Sequence, residues 1–178
     1  MATLTATTIT PGSEDRYVPS PISIAFSALL GTLALHIEAE RDIEDVDIWD
    51  PAFANWLRDA EEIQTRLSRQ VLALTDAEET RDEDEPLRRM AMLIEGMTGS
   101  EEPGTFQRLH PMVVHYEHLF RCEGTTATAL RVDRMLLTAA QRLETMASLD
   151  IYLPDALSPA ITELFEADTV SAPKLPRG

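Results

Sequence analysis

Cysteine is almost absent from this chain of 178 residues, in which Cys122 is the single one. An intrachain disulfide is therefore excluded, and with it the class of small secreted proteins that disulfides hold together. A free thiol is most stable in a reducing compartment, so we expect the protein to be cytoplasmic.

Positive charge is also scarce. The chain has 15 lysines and arginines against 31 acidic residues, which gives a formal net charge of −16 at pH 7. Phosphates and anionic lipid headgroups require a basic surface, so we expect neither nucleic-acid binding nor membrane binding. A protein partner with a basic surface is the better electrostatic match. Solubility alone is the simpler explanation for much of this acidity.

A hydrophobic run long enough to span a bilayer is missing as well. The apolar stretch 22–37 carries no formal charge, but it has only sixteen residues and includes Gly31 and His36. A membrane-spanning helix needs about 20 such residues. A signal peptide would have several basic residues in front of this stretch, which here is preceded by Glu14 and Asp15 with only Arg16. We therefore expect neither export nor membrane insertion.

The motifs of several common enzyme classes are not found. The seven glycines form no phosphate-binding loop and no Gly-x-Ser-x-Gly turn. No glutamate stands three residues before any of the four histidines, which excludes the usual di-iron site of ferritin-like bundles. The sequence therefore gives no direct indication of a nucleotide-binding, hydrolytic or di-iron enzyme.

Helical periodicity is what the sequence contains in abundance, because apolar residues recur every three or four positions and no strand pattern is convincing. Five helices are predicted, and a short sixth is expected to begin at Ser158 and Pro159. The five cover approximately residues 20–45, 51–74, 86–97, 105–122 and 126–148. The predicted fold is all-α, a single bundle of five or six mostly antiparallel helices.

The bundle domain is predicted to span residues 21–168. A flexible N-terminal arm (residues 1–20) and a flexible C-terminal tail (residues 169–178) are expected on either side of it, because both ends are rich in residues that disfavour helices. The acidic run 76–86 is expected to form an exposed connection or a frayed helix end. Pro111 interrupts the predicted fourth helix, so that helix either bends there or gives way to a new one.

One candidate metal site lies on the predicted fourth helix. His115, His118 and Cys122 fall within about 60° of arc if residues 105–122 form one helix. Imidazole and thiolate ligands suit zinc, and copper or iron in other geometries. The competing interpretation is that His115 lies at the edge of the apolar face and His118 nearer to water, and that Cys122, also at the edge, acts as a small buried hydrophobic residue.

A second candidate site is made of carboxylates. Asp59 and Glu62 form one acidic pair with a spacing of three, and Glu79 and Asp82 form another. The arrangement is loosely similar to that of all-helical nucleotide pyrophosphohydrolases of the MazG type, which hold magnesium on paired acidic helices. That family has glutamate where this chain has Asp59. Acidic pairs arise readily by chance in so acidic a chain, so a solvated face and linker is the simpler interpretation.

The function predicted from sequence is that of a non-enzymatic interaction, adaptor or regulatory protein that uses an acidic helical surface against a protein partner. Its amphipathic faces are also suited to pairing two copies of the chain as a homodimer. No cofactor is expected in this interpretation. The alternative is a small metal-dependent protein, with either the His115, His118 and Cys122 site or an acidic magnesium site for a nucleotide phosphate.

Overall fold

The computed structural model describes residues 16–44, 49–100 and 102–153. Within these residues the chain forms α-helices and short 3-10 helices but no β-strand, which confirms the predicted all-α class. The 3-10 helices cover Glu117–Phe120 and Asp150–Tyr152. The α-helices are α1 (Pro21–Glu44), α2 (Phe53–Thr75), α3 (Asp84–Thr98), α4 (Thr105–Leu109), α5 (Met112–His115) and α6 (Ala127–Met146). The predicted sixth helix at Ser158, the outer part of the predicted arm and the predicted tail lie outside the described residues.

Helix α1 is central because apolar side chains cover most of its circumference. Ile22, Phe26, Leu29 and Leu33 are fully buried, and α1 contacts α2, α3 and α6. By length and composition alone the helix could cross a membrane, but half of its most apolar window is buried inside the bundle. Such burial is also a property of the core helix of a soluble protein, so the helix is weak evidence for membrane insertion.

The rest of the core comes from the apolar stripes of α2, α3 and α6, each of which has its polar residues on the opposite side. The aromatic residues Phe106 and Phe120 and the side chain of Val113 close the core beside α3. The fully buried large side chains from the three long helices are Leu67, Leu74, Leu87, Met90, Ile94, Leu136, Leu143 and Met146.

The helix starts follow the local sequence. The side chain of Thr126 accepts a hydrogen bond from the backbone N–H of Ala129 (3.0 Å) and so caps α6. The carboxylate of Asp50 accepts one from the backbone N–H of Ala52 (2.8 Å). The sequence predicts Asp50 as the N-cap residue of α2, but the regular helix begins at Phe53 and Asp50 instead stabilises the turn before it.

The predicted fourth helix is not continuous. Helix α4 ends at Leu109 and α5 follows Pro111, so the proline separates two helices. A second break, which no sequence signal predicts, occurs at Tyr116, whose backbone leaves the helical region (φ −113°, ψ 37°). Arg121 is extended (φ −121°, ψ 150°) and donates hydrogen bonds to both carboxylate oxygens of Asp133 on α6. The break at Pro111 is one of the two outcomes that the sequence predicts, whereas the predicted continuation of the helix to residue 122 is wrong.

The acidic run 76–86 contains one buried carboxylate, that of Asp84. Asp84, at the start of α3, is only 1% exposed. Its carboxylate accepts hydrogen bonds from the hydroxyl of Ser20 and from the backbone N–H (3.1 Å) and hydroxyl (3.0 Å) of Thr80. The main chain next to Ser20 is held as well, because Arg81 donates to the carbonyl oxygen of Val18 (2.6 Å). Asp84 thus joins the start of α1 to the start of α3.

Candidate functional site

A cavity of about 350 Å³ lies between α1, α2, the loop before α4 and the 3-10 turn Asp150–Tyr152. This volume falls within the range of roughly 300–1,000 Å³ that is usual for ligand sites. His36 and Glu40 line the cavity from α1, Gln64 lines it from α2, and Phe106 and Tyr152 line it from the other side. Three chain segments that are distant in sequence therefore bring polar groups to one place.

Hydrogen bonds and a ring contact around Tyr152 fix the side of the cavity that this residue lines. The side-chain amide of Gln107 donates hydrogen bonds to the carbonyl oxygens of Tyr152 (2.7 Å) and Ala147 (3.2 Å). The ring of Phe106 stacks on the ring of Tyr152 with 4.2 Å between centroids. Gly104 precedes α4 with φ +74°, a left-handed conformation that glycine adopts without strain. The loop can therefore turn sharply at the rim of the cavity.

His36 is the most deeply buried ionisable side chain of the cavity, with 1% exposure. Its Nε2 atom lies 2.8 Å from the hydroxyl oxygen of Tyr152. Its Nδ1 atom has no hydrogen-bond partner, and the nearest charged atom is Oε1 of Glu40 at 3.5 Å. Burial lowers the pKa of His36 to about 4, so the imidazole is neutral at pH 7. A neutral ring carries one N–H and one lone pair, and Nδ1 is the ring nitrogen left free to interact with a ligand.

Glu40 and Tyr152 are also shifted toward their neutral forms, whereas the hydrogen bond from Arg108 lowers the pKa of Glu102, which lines the cavity as well. Burial, together with the negative charge of Glu44, raises the pKa of Glu40. Burial raises the pKa of Tyr152 as well, and the charge of Glu40 adds to this effect. A carboxylate that loses part of its hydration is stabilised by a cation beside it. No lysine or arginine is among the residues that line this cavity.

Gln64 contributes a second unpaired atom. Its amide nitrogen donates to the carbonyl oxygen of Thr98 (3.1 Å), which fixes the orientation of the side chain. Its Oε1 atom is buried and has no hydrogen-bond partner. Most buried polar atoms in proteins are paired, and exceptions often mark the position of a water, an ion or a ligand. The cavity therefore offers three groups that can accept hydrogen bonds: Oε1 of Gln64, the Glu40 carboxylate and Nδ1 of His36 in one tautomer.

An open groove of about 800 Å³ lies beside the cavity, between α1, α2 and the Asp150–Tyr152 turn. Glu40, Gln64 and Ile151 line both spaces, so the two are adjacent. The apolar part of the groove is formed by Ile43, Leu57, Ala60 and Ile151, and the acidic part by Glu40, Glu44, Glu61 and Asp150. Within residues 16–44, 49–100 and 102–153, no basic residue lines the groove. We call this surface the acidic groove.

Comparisons with protein-family models, with curated proteins and with solved structures find no match to this chain. The chemistry of the cavity and of the acidic groove is therefore the basis for a functional assignment.

The structure does not bring the three predicted metal ligands onto one helical stripe. His115 ends α5 and is exposed, and its ring meets the ring of Tyr116 edge-on at 4.6 Å. His118 is exposed in the 3-10 helix, and Cys122 follows that helix in extended chain. Burial, together with the charges of Glu83 and Asp133, raises the pKa of the Cys122 thiol and disfavours the thiolate that binds metal. Among the described residues no three His, Cys, Asp or Glu side chains are grouped to hold a metal ion.

The two acidic pairs are likewise not assembled into a site. Asp59 and Glu62 are exposed on α2, and Glu62 lies 3.5 Å from Arg66. Glu79 forms an ion pair with Arg88 (3.1 Å) in the connection before α3, where Asp82 is exposed. The observed contacts agree with a solvated face, and magnesium binding by these pairs stays a prediction without geometric support in the described part of the chain.

The cavity was not predicted from the sequence, although part of its signal was present. His36 and Glu40 are four residues apart on α1, a spacing that places both side chains on one face. His36 is moreover a polar interruption near the end of the apolar stretch 22–37. Nothing in the sequence pairs these residues with Tyr152, which lies 116 positions further along the chain than His36.

Proposed function

We propose that this protein is an interaction module whose acidic groove binds a basic, amphipathic helical segment of a partner protein. The observation that carries the proposal is the composition of the groove, which apolar residues and four carboxylates line together, with no basic side chain from the described part of the chain. A partner helix with apolar residues on one face and basic residues beside them complements both features.

The exposed side chains in the groove support a docking role. Leu57 is 41% exposed and Ile151 is 55% exposed. Single exposed apolar residues are common on proteins, but here they line one concave surface. Burial of these side chains under a partner helix would remove apolar area from water, which is the main source of affinity in such complexes.

The charge of the chain favours a basic partner over a second copy. With a formal net charge of −16, two copies repel each other, and an acidic groove brings further carboxylates together at the contact. Basic residues on a partner would be attracted and would also lower the cost of keeping Glu40 ionised. We therefore propose that the groove binds a different protein and not a second copy of this chain.

The test uses a synthetic amphipathic helix of leucine and lysine, labelled for fluorescence anisotropy, at physiological salt. The wild-type protein is expected to bind it, and Leu57→Glu is expected to weaken binding about tenfold, because the loss of an apolar contact outweighs the attraction of one more exposed carboxylate for lysine. Leu130→Glu is the matched control, since Leu130 is 56% exposed on α6 and does not line the groove. A leucine–glutamate peptide is expected not to bind.

Two neighbouring glutamates, replaced one at a time, test whether the negative charge of the groove contributes to peptide binding. Glu61 lines the groove, whereas Glu62 pairs with Arg66 outside it. Glu61→Gln is expected to weaken peptide binding about threefold, and Glu62→Gln is expected to leave it unchanged. Equal losses in Leu57→Glu and Leu130→Glu, or failure of the wild type to bind, would contradict the proposal. A wild-type dimer that Leu57→Glu dissociates would assign the groove to a second copy instead.

A further inference from the structure

The cavity beside the acidic groove contains unpaired acceptors that a helix lying in the groove would reach only with a side chain. Nδ1 of His36 and Oε1 of Gln64 are both buried, and neither has a hydrogen-bond partner among the residues that the structure describes. Glu40 lies at the boundary, because it lines both the cavity and the groove. A side chain that extends from the groove past Glu40 therefore enters a space whose unpaired groups are acceptors.

The number and kind of these acceptors identify the ligand group. A primary ammonium ion has three N–H donors and no acceptor. The cavity offers one acceptor from each of three side chains, namely the carboxylate of Glu40, Oε1 of Gln64 and the Nδ1 lone pair of His36. Nδ1 has this lone pair when Nε2 carries the ring proton and donates a hydrogen bond to the hydroxyl oxygen of Tyr152, 2.8 Å away.

We propose that the cavity binds the terminal ammonium group of a lysine side chain from the segment that docks in the acidic groove. This inference rests on the proposed function, because the groove supplies the direction of entry. The aliphatic part of the lysine side chain passes along Ile151, which lines both spaces. The ammonium group satisfies the two unpaired buried atoms and neutralises the charge of Glu40.

Lysine fits better than arginine for a geometric reason. The ammonium group is compact and its three donors rotate freely to meet acceptors on three sides. The guanidinium group is planar and directs its donors in a fixed fork, which matches a single carboxylate rather than three separate acceptors. The volume of about 350 Å³ holds a single side chain with room for water.

Binding of a small amine tests the cavity independently of any peptide in the acidic groove. In a phosphate buffer free of amines, n-butylammonium is expected to shift the side-chain amide signals of Gln64 and the ring nitrogen signals of His36 in ¹⁵N NMR spectra. The ¹⁵N signal of Nδ1 of His36 is expected to move toward the position of an unprotonated ring nitrogen. Glu40→Gln is expected to weaken this binding at least about tenfold, because the charged acceptor is lost. Glu61→Gln is the control, since Glu61 lines the groove but not the cavity.

Two outcomes would overturn the inference. One is that n-butanol shifts the same signals as strongly as n-butylammonium does, which would show that charge is not recognised. The other is that Glu61→Gln weakens amine binding as much as Glu40→Gln. If Glu40→Gln does not fold, Gln64→Leu takes its place, because it removes the second acceptor and is expected to weaken amine binding as well.

Peptides separate this inference from the proposed function. The leucine–lysine peptide is expected to bind the wild-type protein at least about threefold more tightly than a leucine–arginine peptide, and the preference is expected to vanish in Glu40→Gln. If both peptides bind equally well and n-butylammonium also binds, the cavity binds a free amine and the inference of a lysine side chain is wrong. The proposed docking in the acidic groove would not be affected by this result. If the wild-type protein binds neither peptide, the proposal that the acidic groove binds a basic helix is wrong.

Discussion

Replacement of Asp84 by alanine is expected to lower the free energy of unfolding by about 3 kcal/mol. The reason is that the buried carboxylate accepts hydrogen bonds from the Ser20 hydroxyl and from the N–H and hydroxyl groups of Thr80. Alanine would leave these donors without their acceptor, and unpaired buried donors cost more than the bond itself contributes. Urea denaturation followed by circular dichroism at 222 nm, the wavelength at which helix is monitored, measures the change.

The control for this prediction is Asp82→Ala in the same acidic run. Asp82 is exposed, and we expect its variant to unfold at nearly the wild-type urea concentration. The comparison separates burial from net charge, since both variants remove one negative charge. If the two variants are equally stable, Asp84 does not fasten the start of α1 to α3 and the structural interpretation of the acidic run is wrong.

Acidification from about pH 7 to about pH 4 is expected to cost the folded protein up to about 3 kcal/mol through His36. In the unfolded chain this histidine binds a proton below its ordinary pKa of 6.5, whereas burial lowers the pKa to about 4 in the folded protein. Between these two values the unfolded state binds more protons, so the stability falls as the pH falls. Glu40 acts in the opposite direction, because its pKa is raised on folding.

The contribution of His36 is isolated by its variant His36→Gln. The difference in unfolding free energy between the wild type and this variant is expected to shrink as the pH is lowered, because only the wild type loses stability through His36. Tyr152→Phe should keep the pH dependence, since burial and not the hydroxyl partner lowers the pKa of His36. A difference between wild type and His36→Gln that stays constant from pH 7 to pH 4 would show that His36 titrates normally in the folded protein.

The helices were predictable where their signals are local. The apolar spacing of Ile22, Phe26, Leu29 and Leu33 places them on one face, and the structure buries all four. Thr126 caps α6 as its side chain and position suggest. Pro111 separates two helices because it has no N–H to donate and restricts the residue before it. In each case the information lies within about one or two turns of the residue.

The break at Tyr116 was not predictable in this way. No proline or glycine occurs between Met112 and Phe120, and the apolar spacing there is compatible with a helix. The chain leaves the helical region at Tyr116, and five residues later Arg121 is extended and pairs with both carboxylate oxygens of Asp133 on α6. The candidate stripe of His115, His118 and Cys122 depended on an unbroken helix, and the break at Tyr116 lies inside it.

The amino-acid order by itself determined the helical class, the position of the long helices and the acidity of the surface, because periodicity and charge are properties of neighbouring residues. Only the tertiary structure decided which polar groups are buried together. The hydrogen bond between His36 and Tyr152 joins positions 116 residues apart, and that between Ser20 and Asp84 joins positions 64 residues apart. Such pairs form when packed helices bring distant segments into contact, and local periodicity carries no information about which segments will meet.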